Sequence, residues 1–595
     1  MPSDPAHSPT GAYGTGSTRS LADRLRTRRG VALVLALVCA ATALIHLPTL
    51  WHGFVWDDHL LLTADRLSVR SGLSTFRSRF QWDAGYAPES APARALRPAA
   101  AFSLWLDLRL GGGQPWLFHL TNLLLTCAGA VLVALVVWEL VHSGIWAGLA
   151  GLLFAAHSSH VESVAFISAR PGLLLGLFLG LVALALLRSI RKRNPAWWLL
   201  AVASFVLALL SSESAVPFLL LFALTPPLVQ TRFNRWFWLP VLASLAAVWL
   251  LVPQPALLVG SAPATELHAL SRLLNAANTF GSYLKMFVWP FDHRVFYPRD
   301  PLFSGLTPNT LYAVIFLISI PLLALRRRYR LVMWGYAWTI IALLTAIASS
   351  PAGTQVAERL LYVPSAGMLF VVVIALSRLV AGQERLRQVV AIGLGAFFIF
   401  NATDSLARAR IWRDDRSLFS TMVREAPRAP VALAGLARAI AAAEPDSAIA
   451  LYNHAILIDQ GYVRAHVEIG QLYGRTGDTR RALHHLRLAE QLRPDSPGVL
   501  GNLSLAWLAA GQSDSALAKA ELAIRREPVL PDSAFAAVAC ARVLARDSSN
   551  VPALYHQSLL LLTRGDTVSA RALIQRVLDL RPDLRALRRL VERLN

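Results

Sequence analysis

The sequence predicts an all-α protein in two parts: a polytopic membrane helical bundle of about eleven spans, then a C-terminal α-solenoid built from repeats. Three observations predict it. Of 595 residues, 55% are hydrophobic and only 16% are charged, with a mean hydropathy of +0.47. Soluble domains carry about 25% charged residues, so this chain lacks the polar surface to cover a water-soluble globule. Up to residue 404, apolar stretches recur at close to the ~20 residues that cross a hydrocarbon core of about 30 Å. Beyond it the composition changes and a period of 34 residues sets in, with Ala448, Ala482 and Ala516 equally spaced and Pro494 and Pro528 likewise.

The membrane part reads as spans near 31–50, 116–141, 144–156, 163–187, 196–211, 215–229, 236–252, 309–325, 331–348, 359–380 and 388–403. Residues 1–30 form a polar, cytoplasmic, disordered tail, and 51–98 an outer loop. The first span has the basic flank of a signal peptide (Arg24, Arg26, Arg28, Arg29) but runs on too long and shows no small-residue cleavage site before Trp51, so it is an uncleaved anchor. Further clusters lie between spans four and five (Arg188, Arg191, Lys192, Arg193), six and seven (Arg232, Arg235), and eight and nine (Arg326, Arg327, Arg328, Arg330). Eleven spans put every cluster on one side, which the positive-inside rule makes cytoplasmic. The N-terminus is then inside and the C-terminus outside, in the inner (cell) membrane facing the periplasm. Residues 276–291 are read as interfacial or re-entrant, since a twelfth span there would place the Arg326 cluster outside. Clustered basic residues between apolar runs report topology and exclude nucleic acid as the partner, although the net charge is +21. Three cysteines, two of them inside apolar runs (Cys39, Cys127), imply no disulfide framework or zinc chemistry.

From residue 405 to 595 the fullest repeat copy is IGQLYGRTGDTRRALHHLRLAEQLRPDS (469–496). Gly470, Tyr473, Gly477, Ala482 and Pro494 stand where a tetratricopeptide helix pair needs small, aromatic and turn residues, and Ala570 and Pro582 close a further copy. Stacked copies make a concave groove that suits a peptide, or else serve only as a structural cap.

Ionisable groups in or near spans are costly and are functional candidates by default. On the eleven-span map four sets fall at the outer face: Asp57 and Asp58; His157, His160 and Glu162 of HSSHVE; Glu213 of SSES; and Glu358 with Arg359 of VAER. Each has a bland counterpart. The aspartates can be solvated helix-end carboxylates, Trp51 and Trp56 interfacial belt aromatics, and Glu358 with Arg359 a local ion pair. His157 and His160, three apart, share a helix face and are candidate metal ligands, although interfacial hydrogen-bonded histidines are commoner. Glu213 interrupts a long apolar stretch with only serines beside it.

FVWDD (54–58), LRPAAAFSLWLDLRLGG with PWLFHLTNLLL (96–112, 115–125), LLFAAHSSHVESVAFISARPGLL (152–174), SSESAV (211–216), VAERLLYVPSAGMLF (356–370) and RARIWRDDRSLF (408–419), followed by the repeats, resemble the transmembrane and tetratricopeptide-repeat containing family of protein O-mannosyltransferases. The resemblance runs in order through nearly the whole chain after residue 30. Where the family commonly reads S-K-E, this chain has Ser211, Ser212 and Glu213; where a charged pair commonly follows the Arg, it has Arg170, Pro171 and Gly172; and Thr126 stands near a common His.

The family is of the C-type glycosyltransferases, so the resemblance implies a polyprenyl-phosphate-linked, mannose-like sugar as donor and work at the extracytoplasmic face. It implies Asp57 as general base toward an acceptor hydroxyl, probed with Asp58 as the residue that orients the acceptor or assists a metal. The leaving phosphate would be met by Arg359, Arg170, Arg97 or His157, with His160, Glu162, Glu213 and Glu358 as a supporting polar site. No cofactor is required beyond the lipid-linked donor, and a divalent metal stays open. The partners implied are the bilayer, that donor, and a protein or peptide acceptor in the repeat groove. Two other readings stand beside this one: transfer to a glycolipid or cell-wall glycan, and a non-catalytic membrane-anchored scaffold. A transporter is disfavoured, because no mid-span charges line a path and no inverted repeat is evident.

Overall fold

The computed structural model describes residues 28–61, 81–82, 95–192, 194–221, 225, 269–297, 307–326, 329–348, 356–526, 533–563, 566–584 and 587–588. These residues are overwhelmingly helical, and the one β-pairing among them is a two-residue antiparallel ladder of Gln81–Trp82 with Ala95–Leu96. Among the described residues six helices are long and apolar enough to cross a membrane: Arg29–Trp51, Pro115–Val141, Ile167–Lys192, Arg330–Ala348, Glu358–Leu379 and Glu384–Arg413. Gly144–Ala156, Pro195–Ser211 and Pro308–Ala324 are shorter apolar helices at three more of the expected positions. The chain is a multi-pass membrane protein. The expected span 236–252, part of 215–229, the tail 1–27 and most of the loop 51–98 lie outside the described residues, as does Pro528.

Local sequence sets the helix ends. Proline occupies the first turn of Pro98–Gly111, Pro115–Val141, Pro195–Ser211 and Pro308–Ala324, where its missing N–H has no helical partner to lose. Two boundaries differ from the expected ones. The span expected at 163–187 starts later, with a 3-10 turn at Ile167–Ala169 that runs into the helix Arg170–Lys192, because Phe166 is extended and separates a short helix, His160–Ala165, from it. Residues 276–291 belong largely to a continuous helix, Ala269–Val288, rather than to a re-entrant turn. Its Phe280, Tyr283, Leu284 and Phe287 enter the main apolar core.

Within that core, small residues let helices approach closely, as they do in bilayers where lipid competes equally for apolar surface. A Cβ built on Gly281 would fall 1.8 Å from the Asn309 carbonyl oxygen, and one on Gly367 2.5 Å from Trp338 Cδ1 and 2.8 Å from the Thr339 nitrogen. Outward, Leu33, Leu37 and Leu44 of the first helix, Ile315 and Leu322, and Val389, Ile392 and Ile399 are exposed. Rows of this kind are what a lipid-facing surface requires.

The repeats form helix pairs Pro430–Ile440 with Pro445–Ile458, Val463–Thr476 with Thr479–Leu492, Pro497–Ala509 with Ser513–Arg526, and Val551–Thr563 with Thr567–Leu580, with Ser533–Leu544 between the last two. The periodic alanines Ala448, Ala482, Ala516 and Ala570 are all fully buried. Gly470 meets Leu486 across a helix pair, its virtual Cβ 2.8 Å from Leu486 Cγ. Gly477 (φ +90°) and Gly511 (φ +77°) end the first helices of two pairs in the left-handed region, which glycine adopts without steric cost.

Gly367→Ala is expected to destabilise the bundle by about 1–3 kcal/mol through overpacking, read as a lower melting temperature of the detergent-solubilised protein. Gly393→Ala, whose Cβ meets nothing within 4 Å, is the control and should leave it unchanged. An unaltered melting temperature for Gly367→Ala would refute this helix contact.

Candidate functional site

The first helix, Arg28–His46, runs into a 3-10 turn at Leu47–Trp51, after which the chain crosses the end of the bundle toward Asp57 and Asp58. The Gly53 N–H donates to the Arg413 carbonyl (2.9 Å), tying this crossing to the chain that leaves the last long helix. Trp56 then adopts φ +52°, a conformation that costs a non-glycine residue on the order of 1–3 kcal/mol and persists only where its surroundings hold it. Three contacts do so. Its N–H donates to Asp415 Oδ1 (2.8 Å), and its ring lies 6.1 Å from Phe166 and 5.8 Å from Phe419.

The two aspartates that follow have different surroundings. Asp58 is fully buried. Its Oδ1 accepts from the Ser168 N–H (2.8 Å) and hydroxyl (2.6 Å), and its Oδ2 from the Val55 N–H (3.3 Å). Burial pushes its pKa up to about 7 against those hydrogen bonds. This corrects the expectation of Asp58 as a group that orients acceptor or metal: its oxygens are occupied and closed off, so it is a positioning residue that pins the loop to Ser168. Asp57 is half-buried and has no hydrogen-bond partner among the described residues. Burial raises its pKa above the ordinary carboxylate value, and the nearby charges of Arg464 and Arg359 pull it part of the way back.

Arg359 comes from the turn before Tyr362–Leu379 and is held by Glu162. Its backbone N–H donates to Glu162 Oε2 (2.9 Å), its Nη1 to Oε1, and its guanidinium lies 6.0 Å from the centre of the Phe166 ring. The side chain keeps 27% exposure. Glu358 beside it is buried, accepting from Tyr297 Oη (3.1 Å) and Arg408 Nη2 (2.5 Å). Glu162 and Glu358 thus hold Arg359 and Arg408 in place.

Other expected phosphate-binding residues are engaged elsewhere. Arg170 is wholly buried, donating to Asn122 Oδ1 (2.8 Å), Ser103 Oγ (3.1 Å), the Phe118 carbonyl (2.7 Å) and Asp107. A cation sealed in this way has no surface for a phosphate, which corrects its assignment. His157 is also buried; its ring bonds Ser159 Oγ (2.8 Å) and the Phe287 carbonyl (3.1 Å), and burial holds its pKa down at about 4, so it is neutral near pH 7 rather than a cation. His160 bonds Ser365 Oγ (2.8 Å), and burial holds its pKa well below the usual value. The two rings lie 5.5 Å apart with these nitrogens directed to different partners, which corrects them as shared metal ligands. Among the described residues no group of three His, Cys, Asp or Glu is placed to hold a metal ion. Arg97 forms a two-point pair with Glu213 (2.7 and 3.2 Å), and despite burial, which raises it, that arginine brings the Glu213 pKa down.

Sequence reasoning missed Asp415, Ser168 and Arg464. Asp415 stands in the quoted RARIWRDDRSLF segment and Ser168 in LLFAAHSSHVESVAFISARPGLL, so their neighbourhoods carried a signal; Arg464 carried none.

No model of a known protein family matches the chain. Among curated proteins, protein O-mannosyl-transferase Tmtc2 of Drosophila melanogaster is 37% identical over 212 residues, 34% of this chain and 22% of that protein. Tmtc1 of the same organism is 33% identical over 31% of this chain and 21% of its own. The human protein O-mannosyl-transferase TMTC4 is 24% identical over 459 residues, 66% of this chain and 62% of its own. The chain therefore matches about a fifth of the length of the first two. Of solved structures, the tetratricopeptide protein YrrB aligns with 29% of this chain and 97% of its own at 15% identity and a TM-score of 0.18. Over the matched segments, and in line with its motifs, this chain is similar to the transmembrane and tetratricopeptide-repeat protein O-mannosyl-transferases.

Proposed function

We propose that the protein is a membrane glycosyltransferase that moves a mannose-like sugar from a polyprenyl-phosphate donor to a Ser/Thr hydroxyl of an extracytoplasmic protein. The observation that carries this is Asp57. In a site where Asp58, Glu162 and Glu358 are all hydrogen-bonded, Asp57 alone of the four carboxylates has no hydrogen-bond partner among the described residues, and it lies within electrostatic reach of Arg464 and Arg359. A scaffold has no use for a half-buried carboxylate left in that state behind a strained tryptophan.

In this reading the acceptor hydroxyl loses its proton to the Asp57 carboxylate as its oxygen bonds to the anomeric carbon. The bond from that carbon to the phosphate oxygen breaks, and its electron pair leaves with the lipid phosphate. Arg359 meets the charge developing there. The raised pKa of Asp57 makes it a stronger base than an ordinary carboxylate, and a general base of this kind contributes about 10²- to 10⁴-fold. The scheme requires no bound cofactor. Homology to proteins named O-mannosyl-transferases favours a protein acceptor over a glycolipid or cell-wall glycan. The proposed orientation, with the N-terminus cytoplasmic and the repeats outside the inner membrane, puts Asp57 at the extracytoplasmic face.

Asp57→Asn should lower sugar transfer by about 10²- to 10⁴-fold, or roughly 2.7–5.5 kcal/mol in the barrier, with expression unchanged. Asp58→Ala should instead lower stability by at least 1–3 kcal/mol, on the order expected for stranding buried donors, and reduce yield. Wild-type turnover by Asp57→Asn would end the assignment.

The base must be ionised, so kcat/KM should fall as pH drops through the Asp57 pKa. Because burial raises that pKa, the acid limb should lie above the ordinary carboxylate range, and the residual activity of Asp57→Asn should lack it.

For topology, an alkaline phosphatase reporter fused after residue 404 should be active and one fused at 191 inactive. The opposite pattern would place the site in the cytoplasm and contradict a lipid-linked donor used outside.

A further inference from the structure

The repeat solenoid does not hang from the bundle on a tether. Val55, Phe166, Trp412, Leu418, Phe419 and Ala432 belong to one apolar cluster that joins the Asp57 loop to the base of the solenoid. From there a chain of contacts leads into the repeats. Gly435 packs on Phe419 so closely that a Cβ would fall 2.2 Å from its ring, and the Arg438 guanidinium lies 5.7 Å from the centre of that ring. Arg438 Nη1 (3.4 Å) and Arg464 Nε (2.8 Å) both donate to Glu468 Oε1. Arg464 and Glu468 sit one turn apart on Val463–Thr476, with only 10% and 11% of their side chains exposed. In the same seam, Glu468 Oε2 and Arg438 Nη2 are buried without a hydrogen-bond partner among the described residues.

Resting on the reading of Asp57 as base, we propose that Arg464 of the repeats and Arg359 of the membrane bundle together hold the phosphate of the lipid-linked donor, so that the solenoid completes the active site. The charges around Asp57 support it. Arg359, Arg438 and Arg464 face Glu162, Glu468 and Asp57, three cations against three carboxylates. When Asp57 takes the acceptor proton, its negative charge disappears and the set becomes net positive. At the same moment the leaving phosphate gains a negative charge. Cations within electrostatic reach of the base are thus relieved of one anion as the other forms, which is stabilisation greater in the transition state than in the ground state. An arginine is suited to this task, because its fork bonds two phosphate oxygens and its charge survives any working pH.

The test uses the full-length protein in detergent with decaprenyl monophosphate as probe. Arg464→Ala should weaken its binding about tenfold or more, Arg359→Ala by a similar factor, and Arg464→Lys by less. Lys519→Ala, which removes a pair with Glu490 elsewhere in the solenoid, should bind as wild type. Melting temperatures separate unfolding from lost contact, with Arg464→Gln as the second variant. Removing the Arg464 charge should also move the acid limb of kcat/KM to higher pH, a shift that loss of a merely structural contact would not produce. If Arg464→Ala binds as wild type while Arg359→Ala is weakened, the role of the solenoid is refuted and the glycosyltransferase reading stands. If no variant and not even the wild type binds the lipid phosphate, the donor reading itself fails. If inorganic phosphate binds as tightly as the lipid, the site is one for a free anion and the inference falls.

Discussion

The structure turns on one residue in an unfavourable backbone conformation. Trp56 sits at φ +52°, and what holds it there comes from remote parts of the chain: Asp415 from the start of the tail, Phe419 one helical turn later, and Phe166 from the segment before the third long span. The Trp56 ring buries against two aromatics, contacts worth about 0.5–1.5 kcal/mol each beyond area burial. With a charge-assisted N–H bond, this offsets a strain of order 1–3 kcal/mol. A conformation fixed by two elements, the helix Asp415–Glu425 and the segment around Phe166, defines where the next residue points only when both are in place. That is how the bundle and the joining helix come to depend on one another.

Charge pairing around this point follows from the low dielectric. Arg170 with Asp107, Arg359 with Glu162 and Arg408 with Glu358 are each buried on at least one side. An uncompensated ion there would cost several kcal/mol. The pairs therefore report stability and positioning before they report chemistry. Arg170 shows the distinction: its donors are spent on tying Pro98–Gly111 and Pro115–Val141 to the start of its own helix. Arg359 uses its backbone and one nitrogen on Glu162 and still keeps a quarter of its side chain open.

Legibility followed the range of the interaction. The repeats could be read because each rests on local spacing: Ala448, Ala482 and Ala516 are small because two helices cross there, and they are buried as that spacing requires. The long spans could be read because length and apolarity are local properties, and Glu162 and Glu358 because a charge near a span stands out. What failed was the role of residues whose partners lie far away in sequence. Arg170 looked available because Asp107, 63 positions earlier, carries no mark of pairing with it. His157 and His160 looked like a ligand pair because their spacing is visible, whereas Phe287 and Ser365, which occupy them, are 130 and 205 positions away. Asp57 and Asp58 are chemically alike and adjacent, and only the arrival of Ser168 separates them.

A docked solenoid changes what the repeats can do for an acceptor. A domain on a flexible linker raises local acceptor concentration but leaves the hydroxyl to find the base by diffusion. Here the first repeat helix shares an apolar cluster with the Asp57 loop, so on the proposed reading a segment held by the repeats would also be held at a fixed distance and angle from the carboxylate. Orientation of that kind lowers a barrier more than concentration does, since much of the entropy lost in bringing reactants together is removed before the chemical step. The same rigidity limits choice. On the proposed reading, an acceptor has to present its hydroxyl to a carboxylate whose loop the docked helix Pro430–Ile440 helps to fix.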